Sequence, residues 1–177
     1  MCIKKGLISI FITLLCLLPV SVMATPKAGD MAIDFNLKEV GSEKKYSLDD
    51  FKGKLVLLNL WAGWCTGCKE EMPHFIDLQE SFKKEEFLIV ATSLDRKETD
   101  TVKFLENLEK RAGKKVNFLV LIDEDKQIAK GYNPFGLPAT YLIDEDGKII
   151  KGIYGSLKES AINKLKNDIE ILLKEKR

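Results

Sequence analysis

Cys65 and Cys68, separated by two residues, are the side chains best placed for chemistry in this chain. They lie in Trp61-Ala62-Gly63-Trp64-Cys65-Thr66-Gly67-Cys68, after the apolar run 55–60 and before a stretch of helical spacing. At a strand-to-helix junction the first sulfur falls at the helix N-terminus, where unpaired N–H groups and the dipole favour a thiolate. Two intervening residues let the second sulfur close a small ring, the minimum needed for thiol–disulfide exchange. So short a loop gains little chain entropy on closure, which makes the pair reactive rather than a structural staple. Zinc is a weaker reading: it takes four ligands, and His74 is the only histidine. Glu71 lies three residues beyond Cys68, on the same side of a helix. A partly buried carboxylate there, its pKa raised by burial, can take the Cys68 proton; the alternative is a solvated helix glutamate like Glu70.

The elements that must position these groups follow from periodicity. The run 55–60 is continuously apolar, as in a strand covered on both faces. Cys68, Met72, Phe75, Ile76 and Phe82 recur at helical spacing and define a buried face, with Pro73 expected to remove one backbone bond and kink the helix. Residues 87–93 read as the next strand. Residues 100–111 read as an amphipathic helix with Val102, Leu105, Leu108 and Ala112 inward, 118–122 as a strand and 127–132 as a short helix. Residues 140–143 and 149–154 pair across an Asp-Gly turn, and Leu157, Ala161, Leu165, Ile169 and Leu172 stripe a last helix. Upstream, 32–36 and 44–47 suggest a short hairpin, followed by a helical turn over 47–51 that Gly53 ends. Strands alternating with helices, then a hairpin and a helix, give an α/β sandwich with a mixed central sheet flanked by helices.

The chain has 177 residues, room for one domain with a sizeable core. Its 28 basic and 27 acidic side chains balance, which argues against a nucleic-acid surface. Residues 1–24 read as a targeting segment: Met1-Cys2-Ile3-Lys4-Lys5 is basic, 6–22 is apolar and uncharged, and Val22-Met23-Ala24 suits cleavage before Thr25. Retention as a membrane anchor and lipidation at Cys16 stay open beside cleavage. The expected domain is then 25–177, and only Cys65 and Cys68 remain in it.

These motifs together resemble the thioredoxin superfamily, in its exported TlpA/ResA/CcmG-like branch of thiol–disulfide oxidoreductases. The resemblance rests on Trp61-Ala62-x-Trp64-Cys65-x-x-Cys68, Glu71-Met72-Pro73 and Gly136-Leu137-Pro138-Ala139-Thr140, and covers about 30–174. It implies a thioredoxin fold with an N-terminal hairpin extension and a central helical insertion spanning 96–117. It also implies no cofactor, no metal and a monomer acting on protein thiols and disulfides at the periplasmic or outer face of the cytoplasmic membrane. By the same resemblance a membrane-bound donor supplies electrons, often for apocytochrome c before haem attachment.

The resemblance also assigns roles. Cys65 is the nucleophile and the more exposed sulfur, Cys68 is the resolving thiol, and Glu71 is the proton acceptor. Pro138 is implied to be a cis-proline facing the disulfide, with Leu137 pairing its backbone to an extended substrate, and Trp64 walls the substrate groove. Trp61 packs beside the helix and His74 has no fixed role. Ordinary thioredoxins carry a buried acid on the strand six residues before the first cysteine; here that place holds Asn59. The Thr66-Gly67 dipeptide departs from the usual proline before the second cysteine, leaving the direction of transfer open, with reduction favoured by the other motifs. A thiol-dependent peroxidase is an alternative, but no threonine and proline shape a pocket before Cys65. The other alternative is a disulfide-binding chaperone or adaptor that holds clients without turnover.

Overall fold

In a computed structural model, which describes residues 25–175, a seven-stranded mixed sheet carries helices on both faces. The expected leader at 1–24, with Cys2 and Cys16, lies outside the described residues. Chain order is β1 (Leu37–Glu39), β2 (Lys45–Tyr46), a 3-10 turn (Leu48–Phe51), β3 (Leu55–Trp61), α1 (Thr66–Glu80), β4 (Phe87–Ser93) and α2 (Glu98–Ala112). It continues with β5 (Leu119–Ile122), α3 (Gln127–Tyr132), β6 (Ala139–Ile143), β7 (Ile149–Tyr154) and α4 (Glu159–Glu175). The strand order is β2-β1-β5-β4-β3-β6-β7. β3 pairs parallel with β4 and antiparallel with β6, so the central strand ends beside the start of β6.

The two faces of β3 explain the layers. Leu55, Leu57 and Trp61 point into a core shared with Met72, Phe75 and Ile76 of α1, Phe104 and Leu108 of α2, and Leu165 and Ile169 of α4. Val56, Leu58 and Leu60 point the other way, towards Phe35, Phe51, Tyr141 and the α3 residues Ile128 and Tyr132. Alternation on the strand therefore puts Asn59 on the α1 side, a buried polar residue in an apolar layer.

Three expectations are corrected. The first hairpin strand is not 32–36 but Leu37–Glu39, paired with Lys45–Tyr46 and, on its other edge, with β5. Residues 32–36 run as a connection that buries Phe35 without joining the ladder. The inner face of α2 is Thr101, Phe104 and Leu108, and Val102, Leu105 and Ala112 are only half-buried on its flanks. A polar Thr101 replaces the expected apolar residue because its hydroxyl has a buried carboxylate, Asp95, to bond. Finally, α1 carries Pro73 in its interior and ends at Glu80, with a buried face that includes Cys68, Glu71, Met72, Phe75 and Ile76, so Phe82, expected on that face, lies past its end. Among the described residues no helix is long and apolar enough to cross a membrane.

Candidate active site

Cys65 and Cys68 are joined as a disulfide with Cα atoms 5.3 Å apart. The position follows from local structure. β3 ends at Trp61, the chain turns with the Cys65 N–H donating to the Ala62 carbonyl at 3.0 Å, and α1 begins. Cys65 is the N-cap in extended conformation, and its Sγ accepts the Cys68 N–H at 3.2 Å. A sulfur thus occupies the capping place that a serine or aspartate oxygen usually fills, facing the donor end of the helix. Cys65 keeps 6% exposure and Cys68 none. Trp64 stands beside the pair and is 69% exposed, whereas Trp61 is buried against Phe104 of α2, ring centroids 4.6 Å apart.

Glu71 is fully buried, more deeply than its position on an exposed-looking helix segment suggests. Its Oε1 accepts from Asn59 Nδ2 at 2.9 Å and its Oε2 from the Leu157 N–H at 2.9 Å. Burial pushes its carboxyl up to about 7; the two donors oppose that rise by favouring the anion. Asn59 uses the other hydrogen of the same amide on Thr140 Oγ1 at 2.9 Å, and that pair sits face to face in the β3–β6 register. Glu71 is therefore tied to both strands that border the disulfide.

The Leu137–Pro138 bond is cis, and Pro138 is buried at the entrance to β6, with Leu137 half-exposed. The segment after β7 binds this whole assembly through three consecutive residues. Gly155 N–H donates to the Pro138 carbonyl at 3.0 Å, Ser156 Oγ to the Gly67 carbonyl at 3.0 Å, and Leu157 N–H to Glu71. Gly67 is closely packed: a Cβ there would lie 3.2 Å from Ser156 Cβ and 3.3 Å from Pro138 Cδ. On the opposite flank, buried Asp95 accepts the Gly63 N–H on both oxygens at 3.0 and 3.1 Å, and Oδ2 also takes Ser93 Oγ and Thr101 Oγ1.

The structure thus brings Cys65, Cys68, Glu71, Trp64, Leu137 and Pro138 to one end of the sheet. His74 lies further along α1 and touches none of these groups through a hydrogen bond or ion pair. Ser156 and Asp95 were not anticipated; Thr140 was expected only as part of the motif around Pro138, and Leu157 only on the last helix, which starts two residues later at Glu159. Asn59 carried a signal, a lone amide in an apolar strand, but the β7–α4 segment has none, because its contribution is mostly backbone N–H. Among the described residues no group of three or more His, Cys, Asp or Glu is arranged to hold a metal.

Residues 28–151 match the AhpC/TSA family. The thiol–disulfide oxidoreductase ResA of Bacillus subtilis (strain 168) is 32% identical over 168 residues, covering 91% of this chain and 90% of that protein. ResA of Oceanobacillus iheyensis is 35% identical over 146 residues, 81% of this chain and 73% of its own. Among solved structures, a DsbE-assigned thiol:disulfide interchange protein from Chlorobium tepidum superposes with a TM-score of 0.72 at 31% identity. It covers 85% of this chain and 99% of its own.

Proposed function

Because the chain belongs to the AhpC/TSA family and is a thiol–disulfide oxidoreductase of thioredoxin fold, we propose that it reduces protein disulfides outside the cytoplasm by a Cys65–Cys68 relay with Glu71 as proton acceptor. In the dithiol form the Cys65 thiolate attacks one sulfur of a client disulfide. A Cys65–client mixed disulfide forms and one client thiolate leaves. The Cys68 thiol then passes its proton to Glu71 and attacks the Cys65 sulfur, releasing the second client thiol. Two electrons reach the client and the protein ends as the disulfide. An external donor, here a membrane-bound one, must return it to the dithiol.

One observation carries this reading: a carboxyl held near 7 lies on the buried face of α1 that also carries Cys68. A group poised near ambient pH accepts a proton during resolution and gives it up afterwards. The Cys68 N–H and the helix N-terminus favour negative charge on Cys65 when the bond is open. Exposed Trp64 on one side and the Leu137–Pro138 segment on the other leave a strip where an extended client can lie, its backbone pairing with Leu137. The leader-like 1–24 segment supports the extracytoplasmic location, and the resemblance to the exported branch supports an apocytochrome c client.

The test has two parts. Cys68→Ala should accumulate a client mixed disulfide at Cys65, and the reduction potential should lie well below about −180 mV, the value of an isomerase. A protein that binds clients yet forms no such adduct is an adaptor. A potential at or above that value makes the direction oxidative.

A further inference from the structure

Beside Trp64, on the α2 side of the disulfide, runs a groove of about 480 Å³ that the relay leaves unused. Its α2 wall is built from Asp100, Lys103, Phe104, Asn107 and Arg111, which recur at three and four residues and so share one face. Buried Phe104 and the exposed Trp64 ring make it apolar inside. Lys69, one turn into α1, completes its rim with Lys103 and Arg111. Among the described residues none of these three cations is in an ion pair.

The two acids in the groove do not balance them. Asp95 is buried with both oxygens committed to Gly63, Ser93 and Thr101, and Lys126 Nζ stands behind it on the Leu94 and Asp95 carbonyls at 3.2 and 3.1 Å. Asp100 is the other acid, so three cations face two carboxylates across the groove. The same Asp95 bonds tie the loop before Cys65 to α2, so the groove holds a fixed position relative to the reacting sulfur. Lys69 N–H donates to the Cys65 carbonyl at 3.3 Å, which fixes the other wall.

We propose that this groove is a docking site for an acidic polypeptide segment next to the client's reacting cysteine. An apolar client side chain lies on Phe104 and Trp64, and a client carboxylate meets Lys103, Arg111 and Lys69. The proposal rests on the oxidoreductase reading above and names the kind of client that reading leaves open. The helix that separates this chain from a minimal version of the fold then serves as a specificity element. Rim charges act mainly on encounter rate, so the preference should be strongest at low salt.

The experiment uses the reduced protein and symmetric disulfides of three pentapeptides, Leu-X-Cys-X-Leu with X as Glu, Gln or Lys. Each rate is divided by that peptide's own rate with dithiothreitol, which removes intrinsic reactivity. The Glu peptide should react about 10-fold faster than the Lys peptide at low salt, a ratio that collapses at high ionic strength. Lys103→Glu with Arg111→Glu should invert the order while leaving the rate with neutral 2-hydroxyethyl disulfide unchanged. Should that pair disturb α2 by circular dichroism, Lys103→Gln with Arg111→Gln should flatten the preference instead. Equal normalised rates for the three peptides, or a preference that survives charge reversal, overturns the groove alone. Failure of the parent to reduce 2-hydroxyethyl disulfide overturns the oxidoreductase reading and the groove with it.

Discussion

Asn59 and Glu71 are joined by a 2.9 Å hydrogen bond between the central strand and the active-site helix, both side chains fully buried. The bond exists because strand alternation turns residue 59 to the α1 face and helical spacing turns residue 71 inward one turn beyond Cys68. The titratable group of the site thus comes from the helix, and the strand supplies a neutral amide that positions it. Asn59 Oδ1 has no hydrogen-bond partner among the described residues. Turning that amide over would offer Oδ1 to a protonated Glu71, so one side chain can serve the carboxylate as donor and the acid as acceptor.

Removing this donor should raise the proton affinity of Glu71. Asn59→Leu takes away one of two bonds to the anion, a loss of about 1.5–3 kcal/mol that corresponds to roughly one to two units upward from 7. The pH profile of mixed-disulfide resolution should move to higher pH by that amount while the formation step keeps its profile. A merely structural role for Asn59 would lower both steps together and leave the profile in place.

Glu71→Gln separates the two chemical steps. The amide cannot accept a proton at neutral pH, so resolution by Cys68 should slow by about 10²-fold while attack by Cys65 continues at the parent rate. Rapid-quench alkylation that follows the Cys65 adduct reads both. Parent-like resolution would remove the proton-acceptor role.

The same carboxyl makes stability depend on pH in a defined direction. Its folded value of about 7 lies above the ordinary 4.5, so the folded state binds more protons between those values and stability falls as pH rises through that window. The penalty is absent below about 4.5 and complete above about 7, where it amounts to about 3 kcal/mol, since Glu71 is fully buried. Urea unfolding at pH 5 and pH 8 should show the parent losing stability over that range. Glu71→Gln should lack this component, although its amide nitrogen faces a donor and lowers stability at every pH. An equal pH dependence in both proteins would place the Glu71 value near that of a solvated carboxylate.

Much of this was legible in the sequence. The apolar run at β3, the Asp-Gly hairpin of β6 and β7 and the spacing of α1 and α4 are signals in which one residue set satisfies both local preference and burial. Cys65, Cys68 and Glu71 stood out because their types are costly or reactive where the pattern placed them. The misses have physical causes. β1 is three residues long and is defined by its ladder to β5, a partner more than 80 residues away in sequence. The inward turn of Thr101 depends on Asp95, whose burial depends in turn on the Gly63 N–H. Ser156 and Leu157 act through a hydroxyl and a backbone N–H on residues 89 and 86 positions earlier, and no local pattern encodes that.

Gly67, within the dipeptide that separates the two cysteines, and Ser156 are packed against each other. A Cβ at residue 67 would stand 3.2 Å from Ser156 Cβ and 3.3 Å from Pro138 Cδ, tighter than packed carbons tolerate without movement. Ser156 meanwhile donates to the Gly67 carbonyl, so glycine at 67 and serine at 156 fit as a pair. Gly67→Ala should cost about 1–3 kcal/mol by overpacking, although alanine is otherwise the better helix former. Ser156→Gly should cost about 1 kcal/mol through the lost bond. The double variant should be more stable than the sum of the two losses implies, because removing the Ser156 Cβ relieves the crowding, with a coupling of about 1 kcal/mol by urea unfolding. Strict additivity, or a Gly67→Ala protein as stable as the parent, would mean that Ser156 does not constrain the dipeptide and that glycine at this position has another cause.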